Sequence, residues 1–444
     1  MRAASSAVGL PVAPGAPPDL SEALHAMVRR LFPICRSITG DGVRQTLAIL
    51  GEYLPGLQVH EVPTGTPAFD WTVPREWTVR DAWVKNRGGE RVIDFRAHNL
   101  HLVSYSVPVR GWFSRAELDA HLHSLPAQPA LIPYRTAYYA DAWGFCLPHA
   151  QRLALPDEDY EVCIDTTLAP GALTYGELLL PGESPEEVLI SCHLCHPSLA
   201  NDNLSGLAVA AYLAQHLAQA PRRYSHRFVF VPGTIGALTW LSRNFEAVGR
   251  VRHGLVLALL GEAAPFTYKQ SRRGTAIIDR AAALVLAENG LPHAVRPFSP
   301  YGYDERQYCS PGFDLPMGGL SRTPFGEFAE YHTSADNLDF VRPEALLASL
   351  HAVQEILAVL DANRRYRNRS PYGEPQLGRR GLYGPVGGNL HGAVWQLALL
   401  WVLNLSDGQH SLLDIAERSK LPFGQVLEAA RALAATDLLE LLPD

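Results

Sequence analysis

Val188-Leu189-Ile190-Ser191-Cys192-His193-Leu194-Cys195-His196-Pro197-Ser198-Leu199-Ala200-Asn201-Asp202-Asn203-Leu204-Ser205-Gly206 is the stretch from which the rest of the chain can be read. Its apolar opening, Val188 to Ile190, has the composition of a buried strand. A polar turn rich in Pro, Ser and Asn follows, and an apolar helical pattern then runs from Leu204 to Leu217. In open α/β sheets ligands sit at the carboxyl ends of strands, where this turn falls. A lone His after a strand is usually a core or loop residue, and a lone Asp before a helix is usually a cap. Here both occur in one strand-turn-helix unit, and His193 with Asp202 offers the mixed N/O donor set that suits zinc.

His193 followed by Ala200-Asn201-Asp202-Asn203-Leu204-Ser205-Gly206 resembles the first metal motif of the zinc aminopeptidases of metallopeptidase clan MH. In that clan the His binds one metal and the middle Asp bridges two, which implies these roles for His193 and Asp202. A second stretch, Glu330-Tyr331-His332-Thr333-Ser334-Ala335-Asp336, resembles the clan's last ligand motif and implies His332 as a ligand. The whole chain is similar to a bacterial group that combines an aminopeptidase-like domain, an inserted β-rich domain and a C-terminal winged helix.

Composition sets the frame around these motifs. The 444 residues are enough for two or three domains, and 47% hydrophobic with 19% charged residues is ordinary for a globular chain. A formal charge of −7 argues against a general nucleic-acid binder. The six cysteines show no disulfide-framework spacing, and Cys192-x-x-Cys195 lacks the second pair of a zinc ribbon, so reduced thiols and a cytoplasmic setting are expected. Residues 1–18, rich in Ala, Pro and Gly, read as disordered. The longest apolar run, Ala393 to Leu405, is too short to span a bilayer and reads as a buried helix, so no membrane association is expected.

Read in order, Asp19 with Glu22 marks a helix start, and amphipathic helices run to Leu31 and Leu54 before a strand over Leu57–Val62. From 64 to 157 the chain turns Trp-, Tyr-, Val- and Pro-rich, with strand-like runs such as Trp83–Lys85 and Leu102–Val107. The resemblance implies that this β-rich domain interrupts an aminopeptidase-like α/β domain made of 19–63 and 158–362. Strands at Val188–Ser191, Phe228–Val231 and Leu255–Leu260 alternate with helices at Leu204–Gln219, Gly236–Phe245, Arg280–Asn289 and Pro343–Asp361. Residues 363–389, with six arginines among Gly and Pro, read as a linker. Residues 390–444 give three helical patterns in a winged-helix-like order. The helix expected in the recognition position, Phe423 to Leu439, carries Glu428 and Asp437 against Arg431, which suits packing or homodimerisation rather than DNA reading.

The chemistry departs from the clan at one place. There, adjacent Glu residues after a strand serve as base and ligand; here the stretch is Phe230-Val231-Pro232-Gly233-Thr234-Ile235. The bacterial group implies Pro-Glu-Thr, so Thr234 reads as a group trait and Gly233 as peculiar to this chain. The clan's next ligand, an Asp after a strand, maps to Glu262, and the clan's orienting Asp maps to Cys195, with His196 as a substitute ligand. The expected metal set is therefore His193, Asp202, Glu262 and His332, enough for one zinc, with a second poorly held. Glu327 and Glu330 are candidates for the missing base. Arg272, Asp304, Arg306 and Tyr331 are candidates for substrate binding, an arginine receiving a carboxylate. The implied activity is a zinc-dependent hydrolase acting on an amide bond of a small peptide or aminoacyl-type metabolite. Gly233 keeps open a degenerate aminopeptidase fold that serves binding or assembly.

Overall fold

The computed structural model describes residues 19–383 and 390–443, with backbone alone for 390–393. The expectation for residues 1–18, and the end of the expected linker at 384–389, lie outside the described residues. Two compact units divide the chain, one holding 19–276 and 293–351, the other 277–292 and 352–443.

The larger unit is built on a mixed eight-stranded sheet flanked by helices. Its strands in chain order are β1 (Gln58–Pro63), β2 (Ala172–Leu180), β3 (Ser184–His193), β4 (Tyr224–Val231), β5 (Val251–Leu257), β6 (Phe266–Lys269), β7 (His293–Arg296) and β8 (Met317–Ser321). Across the sheet they run β1-β2-β4-β3-β5-β8-β6-β7. The central strands β4, β3, β5 and β8 are parallel, with Ser191 opposite Val229 on one side and Val256 on the other. Every residue of β4 is buried, as expected of a parallel strand covered on both faces. This topology brings the carboxyl ends of β3, β4 and β5 together, and with them the segments that carry His193, Gly233 and Glu262.

Helix Leu20–Leu31 starts where its sequence signal lies, Asp19 Oδ1 accepting the Glu22 N–H at 3.2 Å. The apolar pattern from Leu204 becomes helix Gly206–Ala218, preceded by an irregular turn over Ala200–Ser205. Gly206 is needed at the join: a Cβ there would lie 2.5 Å from Asn203 Oδ1 and 2.6 Å from the Leu257 carbonyl oxygen.

The β-rich segment forms a four-stranded antiparallel sheet in the order Arg91–Asp94, Glu76–Lys85, Asp159–Ala169, Val109–Ser114. Strand Asp159–Ala169 runs past the expected boundary at 157, because Tyr160, Val162 and Ile164 alternate inward and complete this core. Their side chains belong to one hydrophobic cluster with Val229, Val231 and Trp240, so the insertion shares the core of the larger unit. Leu102–Val107 is not a strand. A single helical turn, Asn99–His101, precedes it, and Tyr105 takes a φ of 69°, which breaks an extended run.

The smaller unit pairs helix Ile277–Glu288 with the C-terminal segment: Arg280 Nη2 lies 2.6 Å from Asp414 Oδ1, and the Phe423 N–H donates to Glu288 Oε1 at 2.8 Å. Helices Leu390–Leu405, Leu412–Ser419 and Phe423–Ala435 stand with a three-stranded antiparallel sheet, a winged-helix arrangement. The central strand is Arg365–Asn368, so the expected linker begins as a structural element. The last helix ends at Ala435, and Leu439 opens a strand instead. Leu390–Leu405 is not wholly buried, since Val394, Leu397 and Leu400 share an exposed face.

A buried ion network ties the sheet. Arg227 grips Glu187 at 2.6 and 2.8 Å and pairs with Glu177, while Arg250 reaches Glu187 at 2.8 Å. Burial pushes the Glu187 carboxyl up, and Arg227 and Arg250 overcome this to hold it below its ordinary range. Arg227→Met strips both carboxylates of their shared cation. It is expected to lower stability by about 3 kcal/mol, read as a fall in urea midpoint at unchanged m-value.

Candidate metal centre

The turn after β3 is fixed by hydrogen bonds that its own sequence supplies. Asn201 Oδ1 accepts the Gly261 N–H at 2.8 Å, and Ser205 Oγ accepts the Leu260 N–H at 2.9 Å. Asn203 donates to the carbonyls of Leu257 at 3.0 Å and His193 at 3.3 Å, and accepts the Leu259 N–H at 3.2 Å. From the other side the Asp336 carboxylate accepts the N–H groups of Asn201 at 2.5 Å and Asp202 at 3.0 Å. With alternate side chains spent on the loop after β5, Asp202 is left facing inward, at zero exposure.

Three imidazoles surround that carboxylate. His193 Nε2 lies 2.7 Å and His196 Nδ1 3.6 Å from Asp202 Oδ1, while His332 Nε2 lies 3.1 Å from Oδ2. One oxygen faces two histidines and the other faces the third, so Asp202 stands between two groups of donors. Burial pushes its carboxyl up, but the three histidines outweigh that and hold it well below the ordinary range. Burial depresses His196 to about 3, helped by neighbouring histidines and Arg36, against the pull of Asp202.

The donor atoms of His193, His196 and Asp202 lie within 4.8 Å of one another, and His196 Nδ1 has no hydrogen-bond partner among the described residues. An orphaned buried imidazole nitrogen beside a carboxylate fits a metal ion, and a N/N/O set fits zinc chemistry. This is a metal-binding arrangement.

The segment carrying His332 is strapped to the insertion. Tyr134 N–H donates to the His332 carbonyl at 2.8 Å, Ser334 N–H to Ile132 at 2.9 Å, and Ser334 Oγ accepts the Ile132 N–H at 3.0 Å. His332 itself takes a φ of 54°, a left-handed conformation that surrounding structure must hold. Tyr134 packs edge-on against both His196 and His332, at 5.2 and 5.1 Å between centroids, and Tyr331 stacks on His332 at 3.9 Å.

Of the residues singled out in the sequence, His193 and Asp202 fall with His196 in the tight donor group, His332 faces the other oxygen of Asp202, and Tyr331 stacks on His332. Glu262 is buried, its Oε1 accepting the Thr323 N–H at 2.8 Å. Glu327 is exposed and paired with Arg296 at 2.6 Å; both line a cavity of about 190 Å³ with Lys269, Tyr301 and Phe325. Glu330 is half-buried, two residues before His332. Arg272 is spent on Asp314 at 2.9 Å, and Arg306 is exposed. Asp304 is wholly buried with neither oxygen partnered among the described residues; burial and the Glu305 charge raise its carboxyl well above the ordinary range.

Four contributors were not assigned by the sequence: His196 as a full member, Asp336, Tyr134 and Tyr303. Asp336 sits in a quoted motif, four residues after His332, and that spacing was the available signal. Tyr134 and Tyr303, whose ring lies 3.9 Å from that of His193, arrive through tertiary contacts alone.

The fold is that of an aminopeptidase-like α/β protein with an appended winged helix. Residues 25–363 match the family described as "Domain of unknown function (DUF4910)", and 364–441 match "winged helix-turn-helix". The chain belongs to the first of these families. It is 46% identical over 419 residues to a Clostridium acetobutylicum protein named "Putative polysaccharide biosynthesis protein with aminopeptidase-like domain", covering 94% of this chain and 96% of that one. The crystal structure of a "putative peptidase" from the same organism superposes with a TM-score of 0.90 at 45% identity, covering 95% and 96% of the two chains. BSAP, a zinc aminopeptidase from Bacillus subtilis, shares the fold with a TM-score of 0.57 at 12% identity, covering 77% and 95%.

Asp336→Ala leaves two buried N–H groups unsatisfied and frees the turn that aims Asp202. It is expected to cost about 3 kcal/mol of stability and to weaken binding of a metal ion roughly 10- to 100-fold. Competition against a chromophoric chelator measures the second effect, and unchanged affinity would remove Asp336 from this role.

Proposed function

We propose that this protein is a zinc-dependent hydrolase acting on an amide bond of a small peptide or aminoacyl-type metabolite. The observation that carries this reading is Asp202, buried with His193 and His196 on one oxygen and His332 on the other. His193, His196, Asp202 and His332 would hold the ion, with one zinc expected. Bound there, zinc supplies Lewis-acid polarisation of a substrate carbonyl and lowers the pKa of water. Asp202 contributes fixed negative charge, kept ionised by its neighbours. Tyr134 and Tyr331 pack on the histidines and limit water around them. For the proton of the attacking water, Glu330 is the better candidate, because Glu327 is exposed and engaged by Arg296.

Protein purified without chelator is expected to carry about one equivalent of zinc; less than a tenth would sink the metal reading. Aminoacyl anilides, dipeptides and N-acyl amino sugars form the substrate panel, the last because the Clostridium relative's name refers to polysaccharide biosynthesis. Chelation should abolish turnover and zinc restore it, and Glu330→Gln should lower it about 100-fold or more.

A second reading, an aminopeptidase fold kept for ligand binding or assembly, is favoured by Gly233 at the position where the clan keeps its base. Turnover of no amide by zinc-loaded protein would select it. None of the six cysteines forms a disulfide, which supports a reducing, cytoplasmic setting. For the C-terminal module we propose packing or homodimerisation without nucleic acid, since helix Phe423–Ala435 carries Glu428 and a single Arg431. Full-length protein should give no salt-sensitive anisotropy change with duplex DNA at micromolar concentration.

A further inference from the structure

Gly233 leaves space in the backbone after β4, and the space is filled. A Cβ built on Gly233 would lie 2.0 Å from Tyr303 Cε1, 2.7 Å from Cζ and 2.9 Å from the hydroxyl oxygen. Such distances are far inside van der Waals contact, so a side chain at 233 and the ring of Tyr303 exclude one another. The ring is not loosely placed. It lies 3.9 Å from the His193 ring and stacks on Phe325 at 5.3 Å with an interplanar angle of 19°. Its backbone N–H donates to the Glu305 carboxylate at 3.1 and 3.2 Å, and Lys269 holds that carboxylate at 2.7 Å.

The hydroxyl is less committed than the ring. It lies 3.4 Å from Cys195 Sγ and 3.4 Å from the Gly233 carbonyl oxygen, to which it donates. A hydroxyl bond to oxygen is ordinarily about 2.7 Å, so a ligand oxygen beside His193 competes for this proton at little loss.

We propose that Tyr303 takes over the position of the carboxylate missing at 233. Its ring fills the volume, and its hydroxyl supplies a hydrogen-bond donor for a carbonyl or carboxylate oxygen of the ligand. The inference rests on the metal reading given under Proposed function and deepens it. Exchanging a carboxylate for a phenol turns an acceptor into a donor: the position then holds an oxygen of the ligand instead of taking a proton from water. It therefore favours a ligand with a carbonyl or carboxylate oxygen at the metal, and it makes positions 233 and 303 a coupled pair.

The test uses full-length protein, loaded with zinc, as wild type, Tyr303→Phe, Tyr303→Ser, Gly233→Glu and Gly233→Glu/Tyr303→Ser. Thermal melts with and without zinc, zinc content by elemental analysis, and calorimetric binding of L-leucine and L-leucinamide are read for each. Tyr303→Phe should keep wild-type melting and zinc content yet bind the probes roughly 3- to 10-fold more weakly. Gly233→Glu alone should melt several degrees lower or fail to fold, and adding Tyr303→Ser should recover most of that loss. Unchanged probe binding by Tyr303→Phe overturns the donor role, as does zinc-loaded wild type that binds neither probe. Additive melting shifts overturn the coupling. A wild type that takes up no zinc fails the metal reading instead, and the metal-free melts still decide whether the two positions are coupled.

Discussion

A carboxylate at zero exposure is the constraint on which the larger unit depends. Burying an ionised carboxylate costs several kcal/mol after relaxation, and Asp202 is buried completely. Three imidazoles surround it, each delivered by a different local device. His193 is the last residue of β3, His196 follows in the polar turn, and His332 comes from a left-handed position on a distant loop. Aiming Asp202 at them requires the turn to be rigid, so Asn201, Asn203 and Ser205 spend their side chains on the loop after β5. Asp336 closes the arrangement from the His332 side by accepting two N–H groups of the same turn. Burial and the nearby Asp202 charge raise Asp336 to about 8, against the pull of those N–H donors. Two carboxylates in one dry pocket push on each other, and the peptide donors are what keep the second in place.

The same logic explains why the insertion is not a decoration. Its strand Asp159–Ala169 shares a core with β4, and its segment around Ile132 to Tyr134 pairs with the loop that carries His332. A histidine held at φ 54° has to be held by something. Tyr134 does this twice, through its N–H to the His332 carbonyl and through its ring against His196 and His332. The insertion thus sets where His332 stands relative to Asp202.

Legibility in the sequence followed the range of the interactions. The strand-turn-helix around residues 188–206 was readable because its signals are local: an apolar run, turn residues, and a glycine that packing demands at 206. The register of the sheet was not, since β2 and β1 pair through residues more than a hundred positions apart. His193 and Asp202 could be singled out because both lie in one strand-turn-helix unit, and His332 because its own motif resembles a known one; that the three side chains meet is a tertiary fact. Glu262 was visible by residue type as well, and the structure buries it with one oxygen accepting the Thr323 N–H. Nothing local in residues 102–107 announces that Tyr105 turns to positive φ, and alternation there imitates a strand. Arg365–Asn368 was hidden by its arginines, which read as a solvated linker until the antiparallel partners on both sides are known.

Gly233 shows how far a single-position reading can mislead. Taken alone, a glycine in place of a carboxylate reads as a deletion that restoring Glu would repair. The Tyr303 ring makes that repair sterically costly without a second change, because the space belongs to a residue seventy positions away that is itself held by His193, Phe325 and Glu305. Interiors are close-packed, so a lost side chain in a core is either paid out as a cavity or refilled from elsewhere. Here it is filled by a side chain of different chemistry, packed against His193. The unit on which the chemistry acts is therefore the pair of positions, and the question of what the site does to an amide reduces to which oxygen the Tyr303 hydroxyl faces when a ligand is bound.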